Sequence, residues 1–134
     1  MDESLRHFVW QRANNSCEYC RVPQQFDILP FQIDHVIAEK HHGLTAEDNL
    51  ALCCYGCNAY KGPNIAGIDP KTGQLTRLFH PRKDEWDVHF EWVGPMLAGR
   101  TEVGRTTIDV LKINFPDRLE HRMLLIASGV ELGG

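Results

Sequence analysis

Two Cys-x-x-Cys pairs, Cys17-Glu18-Tyr19-Cys20 and Cys54-Tyr55-Gly56-Cys57, constrain this chain more than any other feature. A Cys-x-x-Cys turn presents both thiolates on one side of a tight knuckle. Two such knuckles complete the closed tetrahedral shell of a structural zinc ion, with Zn–S distances of about 2.3 Å. The competing reading is two buried thiol pairs or a redox-active pair, but one redox pair leaves the second without a purpose. The 33 residues between Cys20 and Cys54 exceed the spacing of a compact zinc ribbon. The insert must therefore be a unit of its own, tied at its base by the metal. Cys53 is the fifth cysteine. Successive strand residues face opposite ways, and Cys54 keeps the two-residue spacing to Cys57, so Cys53 is assigned to the core.

An odd cysteine count argues against a disulfide framework. The opening MDESLRHFVWQR is acidic and then amphipathic, without the apolar core of a secretory signal, so the expected location is the cytoplasm. At 134 residues the chain is expected to form a single domain, residues 1–134, with a modest core. Apolar content of 43% and charged content of 24% are those of an ordinary globular protein. No run of about 18 apolar residues is present, which excludes a membrane-spanning helix. The formal net charge of −4 counts against nucleic acid as a partner. A local basic face and bound metal can outweigh that balance.

Leu5, Phe8, Val9 and Arg12 fall near helical spacing, with Ser4 as the expected N-cap. FDILPFQIDHVI alternates Phe31, Ile33 and His35 in a strand pattern. AEKHHGLTAEDN is a polar loop in which His41 and His42 are expected to be solvated; LALCC is a short apolar strand. YGCNAYKG gives about two helical turns, stopped by Gly62-Pro63. Further on, Asp69-Pro70-Lys71-Thr72-Gly73 reads as a turn leading into a strand. DVHFEWVG and PMLAGRT read as two strands around Gly94-Pro95, and two amphipathic helices follow, split by Asn114-Phe115-Pro116.

Inside the cysteine brackets lie Asp34, His35 and Asn49, and Asn58 directly follows Cys57. The segment CEYC … IDHVIAEKHHGLTAEDNLALCCYGCNAYKG resembles the HNH endonuclease family, also called His-Me finger nucleases. That family's pattern has two Cys-x-x-Cys pairs, an Asp-His dipeptide ending a first strand, and an Asn before a second strand. A His or Asn on a short helix, followed by Lys-Gly, completes it. The match covers about residues 14–62, and Asn58 stands at the third signature position. The implied fold is α+β: a zinc-anchored ββα-metal finger with an N-terminal helix and a mixed α+β extension over residues 63–134. The implied activity is metal-dependent hydrolysis of DNA to 3′-hydroxyl and 5′-phosphate ends.

The chemistry accounts for these residue types. A neutral imidazole, with an ordinary pKa of about 6.5, can take a proton from water near neutral pH. A hard divalent cation on oxygen ligands can stabilise the leaving oxygen. Adjacent strand residues face opposite ways, so Asp34 and His35 must do different jobs. The resemblance implies His35 as general base, and Asp34 and Asn58 as ligands of a catalytic Mg²⁺ or Mn²⁺. It implies Asn49 as the catalytic residue that fixes strand–loop geometry and, by analogy, orients the imidazole. Cys17, Cys20, Cys54 and Cys57 hold the structural Zn²⁺. Lys61, Arg77, His80 and Arg82 are candidate phosphate contacts. Trp86, Phe90 and Trp92 are expected to cover the hairpin, and Arg100 and Arg105 to form structural ion pairs. The competing class is a non-catalytic zinc module that binds nucleic acid or protein.

Overall fold

Asp2, not Ser4, starts the first helix. Its carboxylate accepts from the Leu5 amide at 2.8 Å. The negative charge also meets the positive end of the helix, which an uncharged serine two residues further on cannot do. The computed structural model describes residues 1–133. In chain order its elements are α1 (Glu3–Arg12), β1 (Gln32–His35), β2 (Leu50–Cys53), α2 (Tyr55–Lys61), β3 (Ala66–Ile68) and β4 (Leu75–Arg77). They continue with α3 (Trp86–His89), β5 (Phe90–Val93), β6 (Met96–Gly99), α4 (Glu102–Val110) and α5 (Pro116–Ala127). The fold is α+β, with three separate antiparallel hairpins in place of one large sheet.

The first hairpin pairs Gln32 with Cys53, Ile33 with Leu52, Asp34 with Ala51 and His35 with Leu50. All four β2 residues are buried, which explains the unbroken apolar run LALC. Helix α1 packs on β2, where the Arg12 guanidinium donates to the carbonyls of Glu47 and Leu50, each at 2.7 Å. Helix α2 packs on β1. The alternation expected in β1 is corrected: Ile33 and His35 are half-buried, and the side chain turned inward between them is Asp34. Its ion pair with α2, described below, makes that orientation tolerable.

The first cysteine knuckle is tied to β2 in both directions. The Glu18 amide donates to the Leu52 carbonyl at 2.9 Å, and the Leu52 amide donates to Glu18 Oε2 at 2.8 Å. The other Glu18 oxygen pairs with Arg82 of the extension. An aromatic cluster of Tyr19, Phe79, Phe90 and Trp86 continues from the knuckle into the extension, with ring centroids 5.2–6.3 Å apart. Trp86 Nε1 donates to the Tyr19 carbonyl at 2.8 Å. This anchor accompanies a helical turn at Trp86–His89, where the sequence reads as the start of a strand.

The turn between β3 and β4 is organised by Asp69, which accepts from the Lys71 amide and the Thr72 hydroxyl. Arg105 of α4 forks onto the same fully buried carboxylate at 2.8 and 3.0 Å. Arg100 pairs with Glu91 at 2.9 Å, so both arginines are structural as expected. Helix α5 packs Leu125, partly buried, against the core. Its one buried residue is Arg122, whose guanidinium donates to the carbonyls of Pro95 and Ile113 and to Asn114 Oδ1. Met123 and Leu124 are exposed. Among the described residues no helix is long and apolar enough to cross a membrane.

Candidate functional site

The thiol sulfurs of Cys17, Cys20, Cys54 and Cys57 all lie within 4.8 Å of one another and are buried. Local geometry gathers them. The Cys20 amide points at Cys17 Sγ (3.5 Å), and Arg21 takes a left-handed backbone (φ 67°) that closes the first knuckle. Cys54 is itself the N-cap of α2, its sulfur accepting from the Cys57 amide at 3.4 Å. A tetrahedron with metal–sulfur distances of about 2.3 Å has sulfur–sulfur edges of about 3.8 Å. The Cys20–Cys54 separation is 3.7 Å. The donor set therefore fits a closed zinc site. Cys53 is buried on β2 beside it.

From this base the hairpin projects His35. Its Nε2 lies 2.8 Å from Thr45 Oγ1 and 3.3 Å from Glu39 Oε1, and its side chain is 22% exposed. The imidazole is thus held by the loop between β1 and β2 while staying open to solvent. Asn49 shapes that loop from inside. Its Oδ1 accepts from the Ile37 amide, and its Nδ2 donates to the carbonyls of Ile37 and Leu44, all at 2.9 Å. Leu44 precedes Thr45, so Asn49 acts on the imidazole through the loop rather than by touching it. These bonds are of the strand–loop kind expected of Asn49. Gly43 completes the clamp: a Cβ there would lie 1.7 Å from the Ile37 carbonyl oxygen and 2.8 Å from Asn49 Nδ2.

Asp34 faces the opposite way and is 6% exposed. Lys61 Nζ, at the end of α2, lies 3.1 Å from its Oδ2 and 3.3 Å from its Oδ1, and also donates to the His35 carbonyl. The Tyr19 hydroxyl donates to Asp34 Oδ2 at 2.9 Å. Burial pushes the Asp34 carboxyl above its ordinary value, with Lys61 and Tyr19 acting against that shift. Burial, then the Asp34 charge, pushes the Tyr19 hydroxyl well above its own. Asn58 lies three residues before Lys61 and so shares its face of α2. The Asn58 side chain makes no hydrogen bond among the described residues, and the residue is half-buried.

Three of the four expected phosphate contacts are corrected. Lys61 is 1% exposed and committed to Asp34. His80 is 8% exposed, its Nδ1 accepting from the Arg82 amide. Arg82 is spent on Glu18. Arg77 forks onto Asp84 at 2.6 and 3.0 Å, but its side chain remains 54% exposed. Asp34, His35 and Lys61 are brought together, whereas Arg77, His80 and Arg82 belong to the ion-pair seam of the extension. That seam borders a cleft of about 340 Å³, lined by Ile37, Arg77, His80 and Lys83 among others. The sequence reading missed Tyr19, Glu39, Gly43 and Thr45. Gly43 alone carried a signal, as a glycine in a loop otherwise made of side-chain-bearing residues.

The family profile described as HNH endonuclease matches residues 17–64, which contain both knuckles, the hairpin and α2. The curated relative "Septu protein PtuB" from Bacillus thuringiensis is 26% identical over 120 residues. The alignment covers 88% of this chain and 44% of that relative, so the chain spans less than half its length. No solved structure matches significantly.

Proposed function

We propose that this chain, whose residues 17–64 match the HNH endonuclease profile, hydrolyses phosphodiester bonds of DNA, with His35 as general base. The observation that carries the reading is the His35 ring itself. It stands at the tip of a zinc-tied hairpin, open to solvent on one side and held by Thr45 and Glu39 on the other. A neutral imidazole so held can accept a proton from a water molecule, and the hydroxide attacks phosphorus as the 3′-oxygen leaves. The oxygen then takes up a proton, giving a 3′-hydroxyl and a 5′-phosphate. Glu39 keeps the resulting imidazolium paired. Arg77 and Lys83, beside the cleft next to Ile37, are available to the flanking phosphates.

A divalent cation would be held by Asp34 and Asn58, and when bound would supply charge neutralisation on the phosphate oxygens. Both Asp34 oxygens are occupied by the Lys61 ammonium. Lys61 would have to release Asp34 to admit the metal. Its neighbour Asn58 leaves a free amide oxygen on the same helix face.

The test is nicking of supercoiled plasmid with Mg²⁺, Mn²⁺ or EDTA, for wild type and His35→Ala. Loss of a general base lowers the rate by about 10²–10⁴-fold, with zinc content unchanged. A His35→Ala protein that nicks at the wild-type rate refutes the assignment. The Lys61–Asp34 pair favours a second reading, a non-catalytic zinc module. DNA binding by mobility shift without nicking in any metal would establish that alternative.

A further inference from the structure

Helix α5 belongs to the extension, outside the segment that matches the HNH profile, yet it reaches the cysteine cluster. Arg118 Nη2 lies 3.0 Å from Cys57 Sγ and 3.7 Å from Cys54 Sγ. Nη1 donates to the Leu111 carbonyl at 2.7 Å, which fixes the plane of the guanidinium. The second knuckle is built to receive it. Gly56 lies between Cys54 and Cys57, and a Cβ there would come within 3.2 Å of Arg118 Cζ and Nε. A cleft of about 460 Å³ opens beside the sulfurs, with Cys20, Cys54, Gly56 and Arg118 in its wall. The cluster is therefore not sealed by the finger alone.

Four thiolates around one dication carry a net charge of about −2. Such a centre loses its metal when an incoming ligand attacks the ion or a sulfur is drawn away from it. Charge-assisted N–H···S bonds reduce electron density at the sulfurs and fix their directions. We propose that Arg118 is a positioning residue of the zinc centre. Its guanidinium holds the Cys54 and Cys57 thiolates, offsets their excess charge, and slows escape of the ion into the adjoining cleft. The extension thereby contributes part of the metal site that the finger's own motif does not encode. Arg122, four residues on, is committed to Pro95, Ile113 and Asn114 and contacts no sulfur.

The experiment uses the full chain loaded with zinc. Release into excess 4-(2-pyridylazo)resorcinol is timed for wild type, Arg118→Gln, Arg118→Lys and Glu120→Gln, the last an exposed change on the same helix. Loss of an outer partner of a metal ligand costs about 10–100-fold in metal retention, so Arg118→Gln is expected to release at least about tenfold faster. Glu120→Gln should match wild type. A second readout isolates the sulfur contact. In the Co²⁺-loaded protein, removing N–H donors from thiolates moves the sulfur-to-cobalt charge-transfer band to lower energy. Mere loss of helix packing would leave the band in place. An Arg118→Gln protein with wild-type release, or with an unmoved band, overturns the proposal. Should that variant fail to fold, Arg118→Lys carries the test, since it keeps the charge and loses the planar fork. A lysine variant indistinguishable from wild type in both readouts overturns it equally. Nuclease activity enters neither measurement, so failure here is distinct from failure of the catalytic reading.

Discussion

At the scale of single residues, the pair Asp34–Lys61 decides most about the hairpin. Both side chains are almost wholly buried. Removing one partner of such a pair leaves an uncompensated charge and costs about 3–5 kcal/mol. Lys61→Met is therefore expected to lower the urea midpoint strongly, and pairing it with Asp34→Leu should restore much of the loss. Equal stability of Lys61→Met and wild type would show that the ammonium is hydrated rather than engaged. Gly43 makes a second prediction. Gly43→Ala drives a methyl group into the Ile37 carbonyl, so the loop must move and take Thr45 with it. Nicking should fall while zinc content holds; unchanged nicking would mean that the Thr45 contact does not orient His35. The role of Lys61 was not legible from the chain, and Gly43 carried a signal only as a glycine in a loop of side-chain-bearing residues. A lysine at the end of a short helix ordinarily points to water, and its partners Asp34 and the His35 carbonyl stand at separations with no recognisable period. The zinc cysteines were legible because of their paired spacing, whereas the roles proposed for Asp34, His35, Asn49 and Asn58 rest on the resemblance of their order to a known pattern.

At the scale of elements, the existence of α1, β1, β2 and α2 followed from local sequence, although the cap of α1 and the inward face of β1 did not. The α3 turn did not, because the Trp86 anchor lies on Tyr19, 67 residues away. The burial of Asp34 escaped the alternation rule for the same reason. The ligand assignment belongs to this scale too, since β2 ends in adjacent cysteines and only one begins α2. Cys53→Ser is expected to retain one zinc per chain by metal analysis, and Cys54→Ser to lose it. Loss in the Cys53 variant would move the ligand register by one residue. Stripping the metal should unfold the hairpin, because structural zinc contributes on the order of 10 kcal/mol to folding of small domains. Circular dichroism that did not change after chelation would count against this.

At the scale of the whole molecule, charge links the parts that hydrophobic pattern could not reveal: Glu18 to Arg82, Asp69 to Arg105, and Arg122 to three acceptors of the extension. Arg105 holds the Asp69 carboxyl well below the usual carboxylate range. Its folded pKa is thus lower than its unfolded value of about 3.9, so the stabilisation is complete above that pH and fades as pH falls toward the lower value. Arg105→Gln should therefore narrow its stability gap to wild type in that acid range. A gap independent of pH would mean that the fork contributes no linkage. The placement of Arg118 carries a consequence for the order of synthesis. It follows Cys57 by 61 residues, so a chain growing from its N-terminus presents all four sulfurs before the guanidinium exists. Metal can enter a nascent, uncapped cluster quickly and leave a finished one slowly. A chain halted between Cys57 and Arg118 would exchange zinc freely; synthesis of α5 would be the step that commits it.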